Sequence, residues 1–227
     1  MVDVIREQYL AEVAAIYPLP RAVAVLYLAL ASHAIIKSEG EPALLFLWLE
    51  PLSEIFSATE GIATTLSPLL LIIILVATGV ASTLFHRLNA FLYDLLDKKA
   101  LPKVVEIRSY IKEEYESARE FWATIPGDRS TYLVSLEEQL KAKLKRFRAI
   151  NGWAEFFFIV TLFHTTIIFV EGAPVLNTIT AFGALILAST LFARGLYFYI
   201  SSVTPPLVAV RAGKGQKIKL GDEDIFP

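Results

Sequence analysis

The sequence predicts an all-α integral membrane protein with four transmembrane helices and a cytoplasmic amphipathic helical hairpin between spans 2 and 3. Three observations predict it. Of 227 residues, 55% are hydrophobic and 19% charged, and mean hydropathy is +0.55, which leaves too little charge to cover a soluble domain. The apolar residues gather into runs of bilayer length. In lipid, a chain with such runs satisfies its backbone hydrogen bonds as helices.

Residues 1–20 are expected to form a cytoplasmic amphipathic helix. Val2, Ile5, Tyr9, Val13 and Ile16 recur at spacings of three and four, which makes one helical stripe. The polar side mixes Asp3, Arg6, Glu7 and Glu12, so it lacks the basic face of a strong lipid-binding helix. It suits packing on the inner membrane face or on a partner helix.

Residues 21–85 hold spans 1 and 2. The first span is the short run 21–36, extensible over Ile16 to Pro20. A cleavable signal peptide is its rival reading, because Ala29 and Ala31 resemble an A-x-A site. The 20-residue lead with Asp3, Glu7 and Glu12 speaks against it. The second span is expected over 62–85, with an unbroken apolar middle from Leu69 to Val76 and a kink at Pro68. Between them, 43–56 (ALLFLWLEPLSEIF) is too short to cross and too apolar for an exposed loop. It reads as an external interfacial or re-entrant helix with Trp48 near the headgroups.

Residues 86–150 form a cytoplasmic helical region. Leu84, Leu88, Phe91, Leu92, Leu95 and Leu96 carry the helix of span 2 onward until Asp97-Lys98-Lys99 and Pro102. Then Val104, Ile107, Ile111, Tyr115, Ala118 and Trp122 make a second stripe. Leu133, Leu136, Leu140, Leu144 and Phe147 make a third, across the turn Pro126-Gly127-Asp128. Two amphipathic helices about a tight turn give a hairpin, its stripes buried against each other or against a second subunit.

Residues 151–203 hold spans 3 and 4, near 151–170 and 177–200. The linking EGAPVL is so short that the two spans must be antiparallel. The tail 204–227 follows. Thirteen of the 21 Lys and Arg lie in 86–150 and four more in the tail, whereas 37–61 holds only Lys37 against five Glu. That bias puts both termini and the middle segment inside, and the chain in the plasma membrane.

Charged residues within spans are costly and point to function or to an obligatory contact. Glu155 lies about a turn into span 3, and Arg194 lies in the last third of span 4. The antiparallel hairpin brings them to similar depth, so an ion pair is expected. It either locks the hairpin or forms a charged constriction at the inner mouth of a pathway. His33 and His164 count to similar depths, about 18 to 20 Å from the inner edge at 1.5 Å per residue. That placement suits a bis-histidine haem, or else a hydrogen-bonded or titrating core histidine with Thr161 and Thr165 beside His164. His86 reads as interfacial. Lys141, Lys143, Lys145, Arg146 and Arg148, just before span 3, are expected to face membrane lipids and to fix the topology. Small residues Ala181, Ala184, Ala188 and Gly195 in span 4, and Ala77/Ala81 and Thr78/Ser82 in span 2, allow close helix approach.

The chain has no cysteine, which removes thiolate nucleophiles, disulfides and Cys-ligated metals. The net charge of −2 offers no footprint for nucleic acid. No Walker A, GxSxG, HExxH, GxGxxG or TVGYG pattern occurs, so no catalytic or metal residues are named. Few Asn, Gln and Met beside plentiful Glu, Lys and Arg suggest a thermophilic prokaryotic source. The function expected is a homo-oligomeric channel or channel-like pore. Its alternatives are a non-catalytic membrane anchor or scaffold subunit with a cytoplasmic protein partner and, more distantly, a single-haem electron-transfer subunit.

Overall fold

The computed structural model describes residues 3–15, 18–37, 61–99, 101–124, 129–171, 175–216, 218–220 and 223–225. The segment 43–56, the turn Pro126-Gly127-Asp128 and residues 172–174 of the span 3–4 connection lie outside the described residues. Four helices are long and apolar enough to cross a membrane, within Leu19–Lys37, Pro68–Tyr93, Ser130–Val170 and Val175–Gly213. The chain divides into two compact units. One comprises Tyr17–Phe85 and Gly152–Phe192 and is called the apolar unit; the other comprises Met1–Ile16, His86–Asn151 and Ala193–Pro227 and is called the hairpin unit.

In the apolar unit, α2 (Pro18–Lys37) opens on Pro18 and Pro20, residues suited to a first turn whose N–H groups have no partner in the helix. The short α3 (Ile62–Thr65) stops at Leu66, which is extended at φ −91°, ψ 107°. Then α4 (Pro68–Lys99) begins. The expected span over 62–85 with a kink at Pro68 is therefore corrected: Pro68 starts the helix. A proline disfavours helical backbone at the residue before it, while its own fixed φ suits a first helical position. Ser67 caps this start, its Oγ accepting from the Leu70 N–H at 3.2 Å. Onward continuation of the helix past residue 85 to Lys99 follows the sequence stripe.

The core of this unit gathers Ala24, Leu28, Ala29, Leu66, Ile74, Ala81 and Ile159, with Tyr27, Phe156 and Phe163 packed against it. Thr78 and Ser82 face inward, as do Ala181, Ala184 and Ala188. Thr78 spends its hydroxyl on the Ile74 carbonyl of its own helix at 2.8 Å, so it enters the interior satisfied. The outward faces are apolar: Leu69, Ile72, Ile73, Leu75, Val76 and Val80 on α4, and Ile179, Phe182 and Ile186 on the later helix, are exposed.

The hairpin unit is built on α1 (Asp3–Ala14) and α5 (Leu101–Thr124), with the first part of α6 (Arg129–Glu171) and the last turns of α7 (Val175–Phe198). The helix that begins at Arg129 does not stop before span 3 but runs unbroken through it, as one helix of 43 residues. Phe121 and Trp122 of α5 meet Tyr132 of α6 at 5.3 and 5.9 Å between ring centroids, which joins the two helices at these ends. Tyr115, Trp122, Leu140 and Phe147, all on the sequence stripes, are buried.

Tyr9 of α1 is the hub of this unit. It stacks on Tyr93 at 5.0 Å, meets Tyr199 edge-on at 5.1 Å and tilts against Phe147 at 5.5 Å. Each such pair adds about 0.5–1.5 kcal/mol beyond area burial. Its hydroxyl donates to Asn89 Oδ1 at 3.2 Å, and burial pushes its ionisation well above the ordinary tyrosine value.

After α7 the chain does not become a plain tail. A π-helical turn, Tyr199–Val203, leads into α8 (Thr204–Gly213). Pro205 and Pro206 have no N–H for the carbonyls of Ser201 and Ser202, and their rings would collide with those carbonyls in an α-helix. One wider turn relieves the conflict, with the Thr204 N–H reaching back to the Tyr199 carbonyl. α8 packs on α5, and Trp122 Nε1 donates to the Ala209 carbonyl at 3.0 Å. Gly213 is where the Trp122 ring passes; a Cβ there would stand 2.7 Å from the ring. The helix ends in a Schellman motif. Gln216 N–H bonds the Arg211 carbonyl at 2.9 Å and Gly215 N–H the Ala212 carbonyl at 3.0 Å, with Gly215 at φ +64°. A short antiparallel ribbon follows, β1 (Ile218–Leu220) with β2 (Glu223–Ile225).

Candidate functional site

The first turn of α2 and the second turn past the start of the span-3 portion of α6 put two opposite charges in contact. Arg21 Nε donates to Glu155 Oε1 at 3.0 Å; the Glu155 side chain is 1% exposed and that of Arg21 37%. Glu155 Oε2 has no hydrogen-bond partner among the described residues. A buried carboxylate with one oxygen unsatisfied is costly, because its desolvation is only partly offset by the single cation.

This arrangement corrects the expected Glu155–Arg194 pair. Glu155 takes Arg21, and Arg194 has an exposed side chain on α7. The physical reason lies in helix direction. α2 and α6 run parallel, with the first turn of α2 level with the middle of α6 around residue 155, and a long arginine side chain at the start of one reaches inward to an acid on the other.

Further along the same two helices, the Tyr27 hydroxyl and His164 Nε2 are 2.6 Å apart, and their rings lie 6.0 Å apart. The contacts 21 with 155 and 27 with 164 occur in the same sequence order, which is what makes α2 and α6 parallel. His164 is 1% exposed and Asn177 of α7 4%. Asn177 stands beside the imidazole, though no hydrogen bond of good geometry reaches Nδ1 among the described residues. The hydrogen-bonded core histidine foreseen from sequence is present, but its partner is Tyr27. Thr161 bonds its own helix at the Phe157 carbonyl, 2.8 Å away, and Thr165 is half-buried.

His33 is fully buried and lies six residues beyond Tyr27 on α2, about 9 Å along the axis at 1.5 Å per residue. The equal depth expected for His33 and His164 is therefore corrected: His164 is level with Tyr27. A bis-histidine haem does not fit, because it needs the two imidazoles opposite one another, each with Nε2 directed to the iron, and Nε2 of His164 is held by a hydroxyl. Depth counted from apolar edges misled here, since α6 carries no edge: it is continuous from Arg129.

The basic residues before span 3 separate into two kinds. Arg148 Nε donates to Glu12 Oε2 at 2.6 Å, while Gln8 Nε2 donates to Glu12 Oε1 at 2.9 Å. Arg148 is thus corrected from a lipid-facing cation to one partner of an ion pair inside the hairpin unit. Glu12, assigned to the polar side of the first helix, is 5% exposed. The signal was available, since Glu12 adjoins Val13 of the apolar stripe. Lys141, Lys145 and Arg146 are exposed and Lys143 half-buried.

No protein family model, no curated protein and no solved structure matches the chain.

Proposed function

We propose that the protein crosses the plasma membrane four times, with both termini and the helical segment 86–150 in the cytoplasm, and forms a channel or channel-like pore for ions or small solutes. The exposed apolar faces of α4 and α7 suit lipid or a second copy of the chain. The concentration of Lys and Arg in 86–150 and the tail sets the orientation. The parallel contacts of α2 with α6 agree with spans 1 and 3 crossing in the same direction.

The observation that carries the pore reading is the buried Glu155, bound on one oxygen by Arg21 and open on the other. An ionisable group inside a span marks a pathway for charge or solute. The open oxygen is where a passing cation or proton would be held. Farther along, Tyr27 and His164 supply the next polar groups.

Ion flux into liposomes tests the reading. The wild-type chain should carry a flux that Glu155→Gln abolishes, since the amide keeps the shape and removes the charge. Absence of flux in the wild type, or an unchanged flux in the variant, would overturn it.

The anchor reading is favoured by one separate observation. Phe121 and Tyr132, paired at 5.3 Å, are 42% and 47% exposed, and Val134 is 55% exposed, an apolar patch on the hairpin unit. Such a patch suits a protein partner. Capture of a stoichiometric partner that Tyr132→Ser abolishes would favour it, and a chain that purifies alone would count against it.

A further inference from the structure

The remaining juxtamembrane cations are arranged, not merely exposed. In the hairpin unit, the Arg146 guanidinium of α6 lies 5.2 Å from the centroid of the Phe198 ring of α7, a cation–π contact that holds the head in place. Gly195 of α7 lies against Asn151 of α6, where a Cβ would stand 3.2 Å from the Asn151 amide. The pairs 146 with 198 and 151 with 195 run in opposite sequence order, so the two helices are antiparallel and closely packed here. Arg194 precedes Phe198 by four residues, which places it one turn away on the same face of α7. Lys143 precedes Arg146 by three, on the same face of α6.

Arg146 and Arg194 are both exposed. Among the described residues no ion pair joins a carboxylate to either, or to Lys143, whereas Arg148 pairs with Glu12 and Lys214 with Glu137. The contrast with Arg148 is informative. Two residues along the same helix, an arginine is paired with a buried acid, while Arg146 lies against the Phe198 ring and Arg194 stands one turn before that ring on α7. Two planar, permanently charged donor forks on neighbouring antiparallel helices suit a tetrahedral oxyanion.

We propose that Arg146, held against Phe198, and Arg194, one turn before it, assisted by Lys143, form a binding site for the phosphate of an anionic phospholipid. The phosphate accepts from both guanidinium groups while the acyl chains extend into the bilayer. The inference rests on the membrane reading above, not on the pore. A free phosphate ion shares this chemistry and would use the same forks without the chains.

Native mass spectrometry of the detergent-purified full chain decides it, with phosphatidylglycerol, phosphatidylcholine or inorganic phosphate added in turn. The wild type should retain phosphatidylglycerol in preference to both others. Arg146→Gln with Arg194→Gln should weaken that retention about 30-fold, roughly fivefold per arginine. The double variant Lys112→Gln with Lys219→Gln, which removes the same charge elsewhere, should leave it unchanged. Arg146→Lys with Arg194→Lys keeps the charge and loses the forks, and it should also bind more weakly; it serves if the glutamine pair fails to fold. Equal retention by the arginine variants, equal loss in the lysine control, or phosphate bound as firmly as the lipid would each overturn the proposal. Recovery of the wild-type chain in the membrane fraction tests the membrane reading separately.

Discussion

Arg21 and Glu155 meet 134 residues apart in sequence, through a single hydrogen-bonded ion pair of 3.0 Å in which the acid is buried and the base half-exposed. Removing one partner strands the other. Arg21→Leu should destabilise the protein by about 3–5 kcal/mol, because an uncompensated carboxylate remains in the interior. The double variant Arg21→Leu with Glu155→Leu should recover most of that loss, since well-packed apolar side chains replace a buried pair at little cost. Thermal unfolding in detergent measures both. If the double variant carried flux like the wild type, the pore reading would fail even though the stability prediction held.

Tyr27 and His164 offer a gentler test. Tyr27→Phe removes the hydroxyl from the imidazole and should cost about 1–3 kcal/mol, the range for a buried polar group left unmet. Nitrogen NMR of labelled histidine would show the His164 ring losing the shift of a hydrogen-bonded Nε2. An unchanged spectrum would refute the contact.

Gly213 supports the position of α8. A methyl group at this position would press on the Trp122 ring, so Gly213→Ala should cost about 1–3 kcal/mol through overpacking. Trp122 fluorescence should shift to the red as the ring moves toward solvent. In a Trp122→Phe background, which lacks the reporting ring, Gly213→Ala should leave the remaining tryptophan emission unshifted.

Lys214 and Glu137 at 2.7 Å give a pH-dependent tether. The hydrogen bond and charge of Lys214 hold the Glu137 carboxyl below the usual range. A depressed folded-state value means that this contribution is present above the ordinary glutamate range and is lost as pH falls through the lowered value. The pair is solvent-exposed, so the effect is small and screened by salt. Amide protection at the end of α8, corrected for the intrinsic exchange rate at each pH, should fall on acidification, and Glu137→Gln should remove that pH dependence of the protection.

The helical class and the four apolar helices were legible because a 3.6-residue stripe or a long apolar run leaves the backbone few alternatives. Tyr9, Tyr115, Trp122, Leu140 and Phe147 were placed on buried faces by spacing alone. What sequence could not fix was which helices neighbour one another. Glu155 was matched with Arg194 through the one adjacency the sequence guarantees, the short connection between spans 3 and 4. Its actual partner lies on α2, an adjacency that only tertiary packing creates. The place of Arg21 in the first turn of a span, like that of Glu155 in an early turn of another, was the clue. The π-helical turn had a visible signal in Pro205-Pro206; reading those residues as part of a tail concealed it.

The account depends first on which side of the bilayer each connection faces. Because the chain has no cysteine, a single introduced thiol reports its own exposure to a membrane-impermeant reagent in intact cells. Ala173→Cys, between spans 3 and 4, should be labelled from outside. Ser135→Cys, on the exposed face of α6, should be labelled only after the membrane is opened. Labelling of Ser135→Cys from outside, or protection of Ala173→Cys, would contradict the four-span arrangement and the inner position of Glu155 with it.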